Sequence, residues 1–162
     1  MAKNLDPKSF RALMSGWITG IALVTTKDEE TGRNIGIVCN SLTSVSLEPL
    51  LISWCVDKKV KSFPDWENAK QWNVHILAVG QEDLVKRFTA PVADRFAGLD
   101  ISYTDSGLPI LPNVETYFTC NTFAKHEAGD HLILIGEVID YQDSISQPLT
   151  FFRGKFLPGP HA

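Results

Sequence analysis

The chain has 162 residues, of which 44% are hydrophobic and 21% charged, with a formal net charge of −4. That composition excludes a disordered chain and leaves enough apolar surface for one core without metals or disulfides, so residues 1–162 are read as a single domain. The acidic balance excludes a general nucleic-acid surface, because phosphate-backbone binders carry a basic excess.

At the N-terminus, Met1-Ala2-Lys3-Asn4-Leu5-Asp6-Pro7 lacks the apolar stretch and small-residue cleavage site of a secretory signal, and the expected location is cytoplasmic. Asp6 before Pro7 is a helix start, since Asp caps free N–H groups and Pro loses nothing in a first turn. A helix is predicted from Pro7 to Trp17. On it Phe10, Leu13, Met14, Trp17 and Ile18 make one apolar stripe that needs a cover, from the barrel or from a second subunit.

Beyond Ile21 the pattern is β-rich. Ile21–Thr26 and Asn34–Cys39 form a predicted hairpin around a polar turn, and Leu50–Val56 is a third strand. Lys58–Trp66 reads as a short helix ended or bent near Pro64, Trp72–Val79 as a strand, and Gln81–Thr89 as a helix. Tyr117–Lys125 and His131–Tyr141 are two longer strands joined as a second hairpin, and Leu149–Phe156 is a final strand. The longest apolar runs, Leu50–Val56 and Leu132–Ile135, have strand length and cannot span a bilayer, so no membrane association is expected. Many short strands without a βαβ rhythm predict a mainly β fold, a closed or partly closed antiparallel barrel with a few short helices.

Cys39, Cys55 and Cys120 are odd in number, widely spaced and set in apolar patterns, which predicts reduced structural thiols and no zinc or disulfide framework. His126-Glu127-Ala128-Gly129-Asp130-His131 crowds potential metal ligands, but no second cluster completes a coordination sphere, and no metal is expected. No serine lies in a G-x-S-x-G elbow and no two carboxylates are paired by pattern, so hydrolysis has no support. His75 is read as a packed strand residue.

The most informative stretch is Asn40-Ser41-Leu42-Thr43-Ser44-Val45-Ser46, rich in amide and hydroxyl groups, lying between two apolar strands and followed by Lys58, Lys59 and Lys61. Such residues suit either a polar β-connection or a loop ringing a phosphorylated ligand. No Gly-rich phosphate cradle exists in the chain, so a nucleotide would be held by side chains and irregular backbone.

Several segments together resemble the flavin reductase-like family, the FMN-binding split barrels: Gly36–Pro49, Gly129-Asp130-His131 entering Leu132–Val138, Arg95–Leu99, and Phe152-Arg153-Gly154. Family members usually have a second proline where this chain has Leu50. The resemblance implies an antiparallel split barrel, a homodimer, and NAD(P)H-dependent reduction of FMN or FAD by NADH or NADPH, with reduced flavin passed to an oxygenase component. It implies that Asn40, Ser41, Leu42, Thr43 and Ser44 grip the flavin ring and ribityl chain. It further implies that Ser46, Lys61 and Ser62 hold the phosphate and that Arg95 and Phe96 approach the cofactor; Asn73, an amide in an apolar strand, needs a partner if buried, from the flavin edge or equally from the strand or a water. His131 is implied as the catalytic residue on the nicotinamide side, with Phe152 and Arg153 clamping the dinucleotide. A flavin-binding electron-transfer protein of the same fold, without a nicotinamide site, is the alternative, and a cofactor-free interaction module is a further one.

Overall fold

The computed structural model describes residues 5–144 and 146–161; the first four residues of the segment read for an export signal lie outside it. Its elements are α1 (Pro7–Met14), β1 (Thr19–Gly20), β2 (Ala22–Lys27), β3 (Asn34–Cys39), β4 (Thr43–Leu47), β5 (Leu50–Asp57), α2 (Phe63–Asn68), β6 (Gln71–Ile76), α3 (Glu82–Thr89), β7 (Ser102–Tyr103), β8 (Pro109–Ile110), β9 (Tyr117–Ala128), β10 (His131–Gln142), β11 (Leu149–Phe152) and β12 (Lys155–Pro158). Seven of the strands form one antiparallel sheet in the order β3-β2-β6-β9-β10-β5-β4.

That order forces closure. Laid flat, the outer strands β3 and β4 would stand about 29 Å apart, six inter-strand spacings of about 4.8 Å. Yet only Asn40, Ser41 and Leu42 separate them in sequence, and four peptide steps reach at most about 14 Å. The sheet therefore rolls until its edges meet, and β3 comes into contact with β5. No β3–β4 ladder zips the join among the described residues, which makes this an antiparallel split barrel, mainly β as the sequence predicts.

β2 is buried on both faces, and its two faces feed two cores. Ala22 and Val24 point into the barrel with Trp54, Val56, Trp72, Val74, Cys120, Leu132 and Leu134. Ile21 and Leu23 point outward into a second layer with Leu77, Val85, Phe88, Phe96 and Leu111 under α3. Inside the barrel Trp54 meets Trp66 edge-on, centroids 5.0 Å apart, and Trp72 at 6.0 Å, contacts that contribute about 0.5–1.5 kcal/mol each beyond their buried area. Gly136 on β10 lies under Trp72, where a Cβ would stand 2.3 Å from the indole ring.

Several boundaries differ from expectation. α1 ends at Met14, and its stripe of Phe10, Leu13 and Met14, continued by Trp17 and Ile18, is exposed, with Trp17 at 72%. The helix expected from Lys58 begins only at Phe63; Lys58–Ser62 is a turn, and Pro64 sits in the first helical turn, where its missing N–H breaks no bond. β6 stops at Ile76, because Leu77 and Val79 bond outside the sheet, to Ile21 and Gln147. The expected last strand is a hairpin, turned by Arg153 at φ 47° and Gly154 at φ 79°. β4 lies in the stretch read as a loop: as an outer strand with mostly exposed side chains, it needs no apolar alternation.

His75 is fully buried, its Nδ1 3.0 Å from the Leu23 carbonyl and its Nε2 accepting the Leu111 N–H at 3.2 Å. The first contact needs a proton on Nδ1 and the second needs a bare Nε2, so the ring is neutral. Burial lowers its pKa from 6.5 to about 4. Since the unfolded chain binds that proton more readily, the contribution to stability is complete above about pH 6.5 and is lost progressively as pH falls to about 4. Urea midpoints measured from pH 7 to pH 4 are expected to fall more steeply for the native chain than for His75→Gln, by up to about 3 kcal/mol over the window. A Gly136→Ala variant is expected to lose roughly 1–3 kcal/mol through overpacking against Trp72, read as a lower urea midpoint at unchanged slope.

Candidate functional site

The closure places the polar stretch on the barrel's seam. Ser41 fastens it: its Oγ accepts the Cys55 backbone N–H at 2.9 Å. Leu42 packs against the barrel core, while the side chains of Asn40, Thr43 and Ser44 are exposed. Thr43 pairs in register with Ser53 and Ser44 with Ile52.

On its other side β5 pairs with β10, and directly opposed residues share a face of the sheet. Thr43 on β4, Ser53 on β5 and Ile135 on β10 form one outward row. Cys55 with Ile133, then Asp57 with His131, continue that face along the strands. The result is an outer strip with a half-buried apolar floor and polar ends. It brings the seam hydroxyls and His131 onto one surface.

Beyond Asp57 the chain turns sharply. Asp57 accepts the Lys59 N–H on Oδ1 at 2.8 Å and the Val60 N–H on its carbonyl at 3.2 Å. The Lys58 N–H bonds the Asp130 carbonyl at 3.0 Å, and its ammonium bonds the Gly129 carbonyl at 3.1 Å and pairs with Glu127. Lys58 is thus spent in stapling this turn to the β9–β10 hairpin, whose Gly129 holds φ 61°. Lys61 is exposed and enters no ion pair among the described residues. Next to it, Ser62 is half-buried, its Oγ accepting the Trp66 indole N–H at 3.2 Å. Asp65, in α2, is held by Arg33 through two bonds of 3.1 Å, fixing the helix to the β2–β3 turn.

His131 is 40% exposed at its side chain, and its Nδ1 lies 2.8 Å from Asp130 Oδ1. The ionised carboxylate only accepts, so Nδ1 carries the proton and Nε2 is left for another partner. The same hydrogen bond holds the Asp130 carboxyl below the usual carboxylate range. Burial pushes the Cys39 and Cys120 thiols up to about 12, and raises that of Cys55, so none is a ready nucleophile. All three are free, as expected, though only Cys120 is fully buried.

Four expected contacts are corrected. Asn73 is fully buried and its amide is used within the protein, donating to the Pro109 carbonyl at 3.1 Å and accepting from Thr119 Oγ1 at 2.9 Å. Phe96 belongs to the second core, edge-on to Phe88 at 5.0 Å. Arg95 ties its loop to the Ala90 and Gly36 carbonyls, both at 3.3 Å. Ser46 pairs in register with Leu51 and accepts the Glu48 N–H. That puts it about 20 Å of strand from Asp57, at the far end of β5 from the start of the turn that carries Lys61 and Ser62. Phe152 and Arg153 stand in the β11–β12 turn of a separate sheet, the guanidinium 5.4 Å from the Phe152 ring, and the Arg153 N–H bonds the Ser15 carbonyl behind α1. No hydrogen bond among the described residues joins them to His131.

Two contributors were missed in the sequence. Asp130 orients His131, and the Gly-Asp-His step was a signal for it; Trp66 bonds Ser62, and its spacing of four residues along a helix start was the only hint. A surface hollow of about 1070 Å³ between the β2–β3 turn, α2 and β6 contains none of the expected site residues. Of its charged side chains, Lys70 pairs with Glu29 and Asp65 with Arg33.

Residues 14–160 match the family described as Flavin reductase like domain. The chain is 37% identical to a flavin reductase of Pseudomonas putida, over 94% of this chain and 89% of that one. It is 31% identical to the flavin-dependent monooxygenase reductase subunit HsaB of Mycobacterium tuberculosis, over 96% and 84%. The solved NADH:FAD oxidoreductase SgcE6 of Streptomyces globisporus C-1027 superposes with a TM-score of 0.85 at 30% identity, covering 100% of this chain and 95% of that one. Other relatives are longer: the chain spans 50% of one from Rhizobium meliloti (strain 1021) and 53% of a solved oxidoreductase from Sinorhizobium meliloti 1021.

Removing the seam fastener tests its worth. Ser41→Ala leaves the Cys55 N–H without its acceptor and is expected to lower stability by about 1–2 kcal/mol in urea unfolding.

Proposed function

Because the chain belongs to the flavin reductase-like family, we propose that it is an NAD(P)H-dependent flavin reductase, passing a hydride from NADH or NADPH to FMN or FAD. We read its reduced product as destined for an oxygenase component. The observation that supports the reading is that Ser41 on the seam bonds Cys55, two residues before Asp57, which stands opposite the half-exposed His131, while Lys61 in the turn beyond enters no ion pair among the described residues. The activities named for the Pseudomonas putida and Streptomyces globisporus proteins support hydride transfer from a nicotinamide to a flavin, and the subunit named HsaB supports an oxygenase as recipient.

A bound flavin supplies the hydride-accepting ring. The chain's work is placement, since transfer between a nicotinamide and a flavin requires no protein nucleophile. Asn40, Ser41, Leu42, Thr43 and Ser44 line the seam as donors and acceptors for the ring edge and ribityl chain. Lys61 meets the phosphate as an uncommitted charge and Ser62 as a hydroxyl. His131, steadied by Asp130, presents Nε2 toward the nicotinamide at the neighbouring end of the strip. The donor set fits the group: hydroxyls and amides for the ring, a cation for the phosphate.

A homodimer belongs to the same proposal, because the stripe of Phe10, Leu13, Met14 and Trp17 is exposed in a single chain. A second copy covering it would lie against the β11–β12 turn, which is bonded to Ser15, and so reach Phe152 and Arg153.

Purified protein is expected to oxidise NADH or NADPH only when FMN or FAD is added, followed by loss of the reduced-nicotinamide absorbance. Flavin binding without turnover would overturn the reductase reading in favour of an electron-transfer protein. Lys61→Ala is expected to weaken FMN binding about tenfold through the lost charge on phosphate. His131→Ala is expected to slow turnover with FMN affinity nearly unchanged; equal loss of flavin binding in both variants would contradict this division of roles.

A further inference from the structure

Ser62 has an unusual partner for a serine just before a helix. Its hydroxyl does not cap α2; it accepts the indole N–H of Trp66, one turn on, at 3.2 Å. An indole nitrogen is a donor only, so the serine oxygen must be the acceptor and its own proton must point elsewhere. Among the described residues that proton reaches no protein acceptor. A phosphate offers acceptors only, and is therefore matched to the role left open.

We propose that Trp66 is a positioning residue for the flavin phosphate, fixing Ser62 as a hydrogen-bond donor from within the barrel. The proposal rests on the reading of Lys61 and Ser62 as the phosphate site. Trp66 suits this work because it is itself immobilised. It is fully buried and held edge-on against Trp54, which in turn meets Trp72. Its neighbour Asp65 is anchored by Arg33 from the opposite turn. An unconstrained hydroxyl would rotate among donor and acceptor orientations; this one enters binding with its oxygen held and one of its positions already taken by the indole N–H, which reduces the ordering entropy lost on binding.

The test compares FMN with riboflavin, which has the same ring and ribityl chain but no phosphate. Dissociation constants are measured by flavin fluorescence for the native chain, Trp66→Phe, Ser62→Ala and the double variant. Trp66→Phe is expected to weaken FMN binding about three- to tenfold and leave riboflavin unchanged. The double variant is expected to be no worse than Ser62→Ala alone. Equal weakening toward both ligands would mark Trp66 as a packing residue and overturn the proposal. An FMN-specific loss in Ser62→Ala but none in Trp66→Phe would overturn it while sparing the phosphate site. A native chain that binds FMN no better than riboflavin, with Ser62→Ala neutral, would overturn the phosphate site and the proposal together. Should Trp66→Phe fail to fold, the Trp66 indole ¹⁵N–¹H resonance of the native chain decides: it is expected to shift with FMN and not with riboflavin, and an equal response to both would overturn the assignment.

Discussion

Everything functional in this molecule depends on how few residues separate β3 from β4. The outermost strands of a seven-stranded sheet are joined by Asn40, Ser41 and Leu42, and no flat arrangement lets three residues cross that width. Rolling the sheet satisfies the connection, and the price is a seam where the edges come together without a ladder. Backbone groups along such a seam need partners. Ser41 supplies one by accepting the Cys55 N–H. Arg95 covers another at the Gly36 carbonyl, and the same constraint that closes the barrel creates the place where a flavin is proposed to lie.

The opposite wall of the site follows from register. β5 ends at Asp57 opposite His131, so the turn carrying Lys61 and Ser62 must leave the sheet beside the β9–β10 hairpin. Lys58 makes the adjacency rigid, bonding Gly129 and Asp130. Of the three clustered lysines, Lys58 is thereby committed, while Lys59 and Lys61 are exposed and enter no ion pair among the described residues, a distinction set by partners and invisible in composition. Stability and binding are shared between neighbouring residues here: Ser41 and Lys58 hold the frame, while Asn40, Thr43 and Lys61 are exposed and Ser62 is half-buried against Trp66.

The sequence made the strands legible where apolar residues dominate, in β2, β3, β5, β9 and β10, because a core must be filled and side chains alternate. It hid β4, whose side chains at an outer position are mostly polar or exposed. It hid the last hairpin, because Arg153 rather than a glycine takes the first left-handed position. Resemblance pointed to the stretch that the fold sets on the seam, to the turn carrying Lys61 and Ser62, and to His131 at the start of β10. It failed at Asn73, Arg95 and Phe96, whose partners Pro109, Thr119, Gly36 and Phe88 are brought up by folding. A buried amide requires a partner, and no local pattern says whether protein or ligand provides it.

The flavin site proposed for this molecule is formed by the seam and the turn after β5 together. Amide hydrogen exchange with and without FMN tests it most directly, since it reads binding segment by segment without any substitution. Protection confined to residues 40–44 and 58–63 and the neighbouring His131 hairpin is expected. Protection in the hollow between the β2–β3 turn and α2, with the seam unchanged, would contradict it.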